Sequence, residues 1–119
     1  MEKTSTGLEA NVAGLLCYVL GWISGLVFFL IEKENKFVRF HAMQSIVTFG
    51  AFTVVSIVLS ILGLIPFIGI AFDIINLIIG VLAFVLWIVL MVKAYQGTRY
   101  KLPWAGNLAE KWVGEKASQ

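Results

Sequence analysis

The sequence predicts an all-α membrane protein: three transmembrane helices, followed by a short helix lying in the membrane interface. Three observations carry this. Of the 119 residues, 60% are hydrophobic and 13% charged, about half the charge a soluble domain carries. The charges stand in clusters that bound long uncharged runs. Lys and Arg fall almost wholly beside alternate ends of those runs. A soluble fold this small could not hide so much apolar surface, so residues 1–119 read as a single transmembrane domain in contact with the lipid bilayer.

The first uncharged run lies between Glu9 and Glu32 and defines a span over residues 10–31. At 1.5 Å per residue it reaches about 33 Å, enough for the hydrocarbon core. After a polar stretch the next run extends from Phe40 to Phe72, too long for one helix without extreme tilt. Gly63, Pro66 and Gly69 interrupt it, and proline both removes a backbone donor and disfavours helix in the residue before it. The second and third spans are therefore placed at residues 43–64 and 70–92.

With three spans, the N-terminus shares a side with the Pro66 turn. That side holds Lys3 alone, while Lys33, Lys36, Arg39, Lys93, Arg99, Lys101, Lys111 and Lys116 share the other. The positive-inside rule then puts the N-terminus outside and the C-terminus in the cytoplasm of a multi-pass cell-membrane protein. In the tail, Pro103 suits a first helical position, and Trp104, Leu108 and Trp112 recur every four residues. This predicts an interfacial helix over residues 103–113, with a frayed polar tail as the alternative and disorder beyond Gly114.

Composition also excludes functions. A net charge of +2 with no basic cluster gives no reason for nucleic-acid binding. Glu2 and Glu9 beside Lys3 make a poor signal-peptide n-region. The lone cysteine, Cys17, and the lone histidine, His41, leave no paired ligands for a metal and no disulfide. No nucleophile–base set or phosphate-binding glycine loop is present, so neither an enzyme nor a cofactor is expected.

In lipid, small and polar residues should mark the packing faces. The first span carries Gly14, Cys17, Gly21, Ser24 and Gly25, with Gly21 and Gly25 forming a Gly-x-x-x-Gly pair usable within the chain or between copies. The second gathers Ser45, Thr48, Ser56, Ser60 and Gly63. The third offers Asp73, Asn76, Gly80, Ala83 and Trp87. Asp73 and Asn76 form a candidate polar site. Asp73 admits three readings: a cap on the third helix, an interhelical contact with Asn76, or an ion or proton role. His41, where the basic loop enters the second span, fits a residue bonding loop carbonyls or headgroups, or a proton-linked one.

The loop pattern Phe-x-x-Phe-His-Ala-x-Gln, formed by Phe37, Phe40, His41, Ala42 and Gln44, resembles a signature of a widespread family of small prokaryotic membrane proteins. A second match covers Lys93 to Gly97, then Tyr100 and Pro103. That family is distantly related to the twenty-kilodalton subunit of the Tic translocon, which imports proteins across the chloroplast inner envelope. The resemblance implies a polytopic helical protein and no particular activity. The translocon subunit has four spans, one more than the three expected here. The motif positions Phe37, Phe40, His41 and Gln44 carry over as a structural or binding element. The resulting expectation is a non-enzymatic interaction or assembly factor, acting with its own copies or a membrane-protein partner. The alternative is a small transporter or channel subunit.

Overall fold

The computed structural model describes Thr4, residues 7–98, 100–102 and 105–113, the side chains of Trp112 and Val113 excepted. Five helices follow in order: α1 Ala10–Val19, α2 Trp22–Ile31, α3 Lys36–Leu62, α4 Gly69–Tyr95 and α5 Ala105–Val113. Among the described residues there is no strand. Two helices, α3 and α4, are long and apolar enough to cross a membrane, each with 27 residues. At about 40 Å each, they exceed the hydrocarbon thickness and are long enough to span it with some tilt.

The expected first span is broken. Along α1, the neighbours on α3 advance: Gly14 lies against Phe37, Tyr18 bonds His41, and Gly21 bonds Ser45. Along α2 they return: Gly25 lies against Ala42, and Phe29 and Glu32 meet Arg39. The chain therefore enters beside α3, reverses at Leu20–Gly21 and leaves by the end it entered. Gly21 makes the reversal at φ 65°, a backbone region that side chains rarely adopt.

A helix end inside a membrane exposes carbonyls that lipid cannot satisfy. Here side chains take them. The Trp87 indole N–H donates to the Tyr18 carbonyl at 2.6 Å, and Ser45 Oγ donates to that of Gly21 at 2.8 Å. Ser24 Oγ accepts from the Leu20 amide and stands 3.0 Å from the Cys17 carbonyl. This corrects the three-span expectation to a two-helix hairpin. It also moves the start of the chain, because Asn11 donates to the Tyr95 carbonyl at 3.0 Å. The beginning of α1, the 32–35 loop and the end of α4 share one end of the molecule. The three-span expectation had put the start of the first helix and the end of α4 at opposite ends.

The second long helix starts seven residues before the expected 43. Asn35 caps it, its Oδ1 accepting from the Val38 amide at 3.0 Å. The Glu32 carboxylate accepts from the amides of Glu34 and Asn35, closing the loop beneath the helix. Asn35→Ala should cost about 1 kcal/mol. Faster amide exchange at Val38, with the distal half of α3 unchanged, is the expected readout.

Pro66 and Phe67 turn the chain between α3 and α4, with Phe67 at φ 70° and almost fully exposed. A side chain at Gly69 would overlap the Gly63 backbone, so the two glycines let the helix ends meet. Gly97, at φ 80°, ends α4, its amide donating to the Ala94 carbonyl and that of Thr98 to Lys93. Thr98 and then residues 100–102 lie progressively further along α3, and α5 returns beside it.

Ala105 and Ala109 of α5 pack on Phe40, Met43 and Val47. The C-terminal helix is thus docked on α3 by its small residues. Of the residues behind that expectation, Pro103, Trp104, the Trp112 side chain and the segment beyond Gly114 lie outside the described residues. Both buried clusters sit at the charged end: α1, α3 and α4 around Tyr18, Ala42 and Leu90, and α3 with α5 around Phe40. The distal half of the hairpin stands clear of them.

Candidate functional site

The loop motif converges on a buried polar clasp. α3 brings His41 and Gln44 to one side of a single turn, and α1 supplies Tyr18; all three are fully buried. His41 Nε2 lies 3.2 Å from the Thr98 carbonyl and Nδ1 lies 2.7 Å from the Tyr18 hydroxyl. A carbonyl only accepts, so Nε2 carries a hydrogen at that contact. Gln44 Nε2 donates to the Tyr18 hydroxyl at 3.0 Å and to the Tyr100 carbonyl at 2.9 Å, while its Oε1 accepts from the Leu102 amide at 2.9 Å. Gln44 therefore grips the backbone of residues 100–102 at two points.

Aromatic edges enclose the clasp. Phe37 meets the His41 ring at 4.5 Å between centroids and Phe40 at 5.3 Å, both edge-on. Phe37 also packs on Gly14, where a Cβ would stand 2.8 Å from its ring. The buried Cys17 thiol points at the Val38 carbonyl, 3.7 Å away. These polar atoms are engaged in holding α1, α3 and the 98–102 strap together.

Arg39 is a second fastening. Its Nη1 donates to the backbone carbonyls of Phe29 and Glu32, and its guanidinium covers the Phe29 ring at 4.2 Å. It thereby closes the carbonyl end of α2. Tyr18, Ser24, Asn35 and this use of Arg39 were not singled out as site residues by sequence. Tyr18 left a signal: a phenol inside an apolar run needs a polar partner.

A separate polar group sits in the distal hairpin. Ser56 Oγ donates to Asn76 Oδ1 at 2.9 Å, and Asn76 Nδ2 donates to Ser60 Oγ at 3.1 Å, joining α3 to α4. Asp73 lies one turn away, exposed, its carboxylate against Gly63. It is not a helix cap: α4 begins at Gly69 behind Ile68, which places Asp73 in the second turn. Of the predicted packing glycines, Gly14, Gly21 and Gly25 face neighbouring helices, whereas a Cβ at Gly80 would meet nothing within 4 Å. Among the described residues, no three of His, Cys, Asp and Glu are placed to hold a metal ion.

A hairpin of two membrane-length helices, braced over half its length by a re-entrant helix pair and a buried clasp, defines a helical membrane protein. The chain belongs to the magnetosome magnetite crystal formation protein family, whose model matches residues 2–109. It is similar to a UPF0132 membrane protein of Methanocaldococcus jannaschii, 48% identical over 112 residues, spanning 94% of this chain and 96% of that one. A second protein of that organism is 49% identical over 110 residues, covering 92% and 74%. A UPF0132 membrane protein of Archaeoglobus fulgidus is 47% identical over 107 residues, covering 90% and 98%. No solved structure matches the chain.

Proposed function

We propose that this is a non-enzymatic protein of the cell membrane that acts by lateral association, as an interaction or assembly factor of the kind the translocon resemblance suggests. The supporting observation is the bare distal half of the α3–α4 hairpin. There Gly80 stands open, Asp73 is exposed near the Gly63–Gly69 turn, and the Ser56–Asn76–Ser60 group leaves a groove of about 710 Å³ beside it. Membrane helices associate through small and polar residues of this sort. From the relatives' names only the membrane setting is carried over.

The charged end is the cytoplasmic one in this reading. Lys33, Lys36, Arg39, Lys93, Lys101 and Lys111 all lie there, and the stretch from Gly63 to Gly69 has no basic residue. Both termini are then cytoplasmic. The alternative, a small transporter or channel subunit, needs a polar path through the bundle. The clasp at Gln44 and the distal group at Ser56 are twelve residues apart on α3, about 18 Å, and Phe49 and Phe52 pack in the turns between them. That separation favours association over passage.

Photo-crosslinking tests the proposal. A photoreactive residue replacing Gly80, in native membranes, should capture a membrane protein or a second copy. Capture of lipid alone would overturn the association reading.

A further inference from the structure

The re-entrant pair has the length of one leaflet. α1 and α2 have 10 residues each, about 15 Å, which is half of a hydrocarbon core about 30 Å thick. Neither helix contains a charged residue, and α2 exposes Ile23, Leu26, Val27, Leu30 and Ile31 along its whole outer face. An apolar face of that length is stable in lipid rather than in water. The pair therefore lies in lipid beside α3, from the charged end to the Leu20–Gly21 turn.

Among the described residues, no helix continues the pair beyond that turn. Val54, Ile57 and Ile61 of α3 and Leu77 and Val81 of α4 are exposed there. The groove that touches Leu20, Gly21 and Trp22 opens under the turn toward Ser60 and Leu64. One leaflet thus holds four helices and the other holds two. For helices about 10–12 Å across, the excess is about 150–200 Å² of membrane area on one side. The strap at Leu102 and α5 pack against the same wide end.

We infer that the protein is a wedge that partitions into curved membrane, with the leaflet at its charged end on the convex side. A leaflet forced to hold more area than its partner becomes the outer one of a bend, so the wide end fits where that leaflet is already stretched. By linkage, a protein that prefers such curvature also favours its formation. The binding partner is a lipid surface with one sign of curvature. The inference rests on the membrane setting and not on lateral association. A single copy has this shape, so a failed Gly80 crosslink would leave it standing.

The test uses the full-length protein at low density in giant vesicles, with a fluorophore on the exposed position 111 (Lys111→Cys) in a Cys17→Ala background. A narrow tube pulled outward from the vesicle makes the outer leaflet convex, and copies exchange between tube and flat membrane by diffusion. Copies with the charged end outside should show a tube-to-flat ratio above unity. An impermeant quencher darkens those copies, and the inverted ones that remain should show a ratio below unity. Equal ratios for the two orientations, or the opposite order, would overturn the inference. The shape is measured separately, by spin labels at Leu8→Cys and Lys33→Cys in the same background. Their separation should fall well short of the hydrocarbon thickness, about 30 Å. A separation equal to that thickness or longer would show that residues 10–31 cross the membrane, and the wedge would be overturned whatever the sorting.

Discussion

Replacing Gln44 with leucine should release the C-terminal strap and α5 from the bundle. Leucine fills nearly the same volume but makes none of the three hydrogen bonds that Gln44 forms, donating to the Tyr18 hydroxyl and the Tyr100 carbonyl and accepting from the Leu102 amide. Each bond lost costs about 0.5–1.5 kcal/mol, and all three go at once. Amide exchange should accelerate across residues 100–110, and limited proteolysis should cut near Lys101 and Lys111. α4 should remain protected. Parental protection of the strap in this variant would show that the side-chain grip is not what docks it.

The second large effect concerns Gly25. A methyl there would stand 2.8 Å from the Ala42 carbonyl oxygen and 2.9 Å from Ser45 Cβ, both on α3. Backbone cannot give way as a flexible side chain does, so Gly25→Ala must push α2 off α3. Overpacking of this kind costs about 1–3 kcal/mol, and the Ser45 bond to the Gly21 carbonyl is strained with it. A clear fall in melting temperature in detergent is expected. Gly80→Ala is the contrast: its methyl meets open space, and the helix gains about 1 kcal/mol of propensity. Equal melting temperatures for the two variants would contradict the packing described for α2.

The α3–α4 hairpin was legible because lipid writes it into composition: two long uncharged runs with glycine and proline between them. The break at Leu20–Gly21 was not. Residues 10–31 are apolar throughout, and nothing in their order separates a crossing helix from one that turns back. The reversal depends on where Ser45 and Trp87, far along the chain, place their donors. Gly21 and Gly25 illustrate the difficulty, for their spacing suggested one shared packing role. In the fold Gly21 supplies a backbone angle and Gly25 a close approach to α3. The expected orientation was built on three crossings, and only two helices are long and apolar enough to cross.

The candidate site was half legible. Resemblance drew attention to Phe37, Phe40, His41 and Gln44, and α3 does bring them together. Their task could not be read from the motif, because the group they grip is backbone. Carbonyls and amides of residues 98–102 carry no signature in sequence. The cap reading of Asp73 failed for a simpler reason: α4 begins at Gly69, one residue from the expected 70, and the carboxylate falls in its second turn rather than ahead of its first.

The return of α1 and α2 to the end they entered has a consequence for biogenesis. Between Arg39 and Lys93 the chain has one carboxylate, Asp73, one histidine and no basic residue. If the charged end is cytoplasmic, the ribosome delivers a hairpin whose leading turn can slide to the far leaflet without dragging a lysine or arginine through the hydrocarbon. Each such residue would cost about 2.5–3.5 kcal/mol at mid-membrane. The re-entrant pair and the strap can then fold in afterwards from the side on which they were made. Insertion of this protein should therefore proceed with little help from the membrane potential.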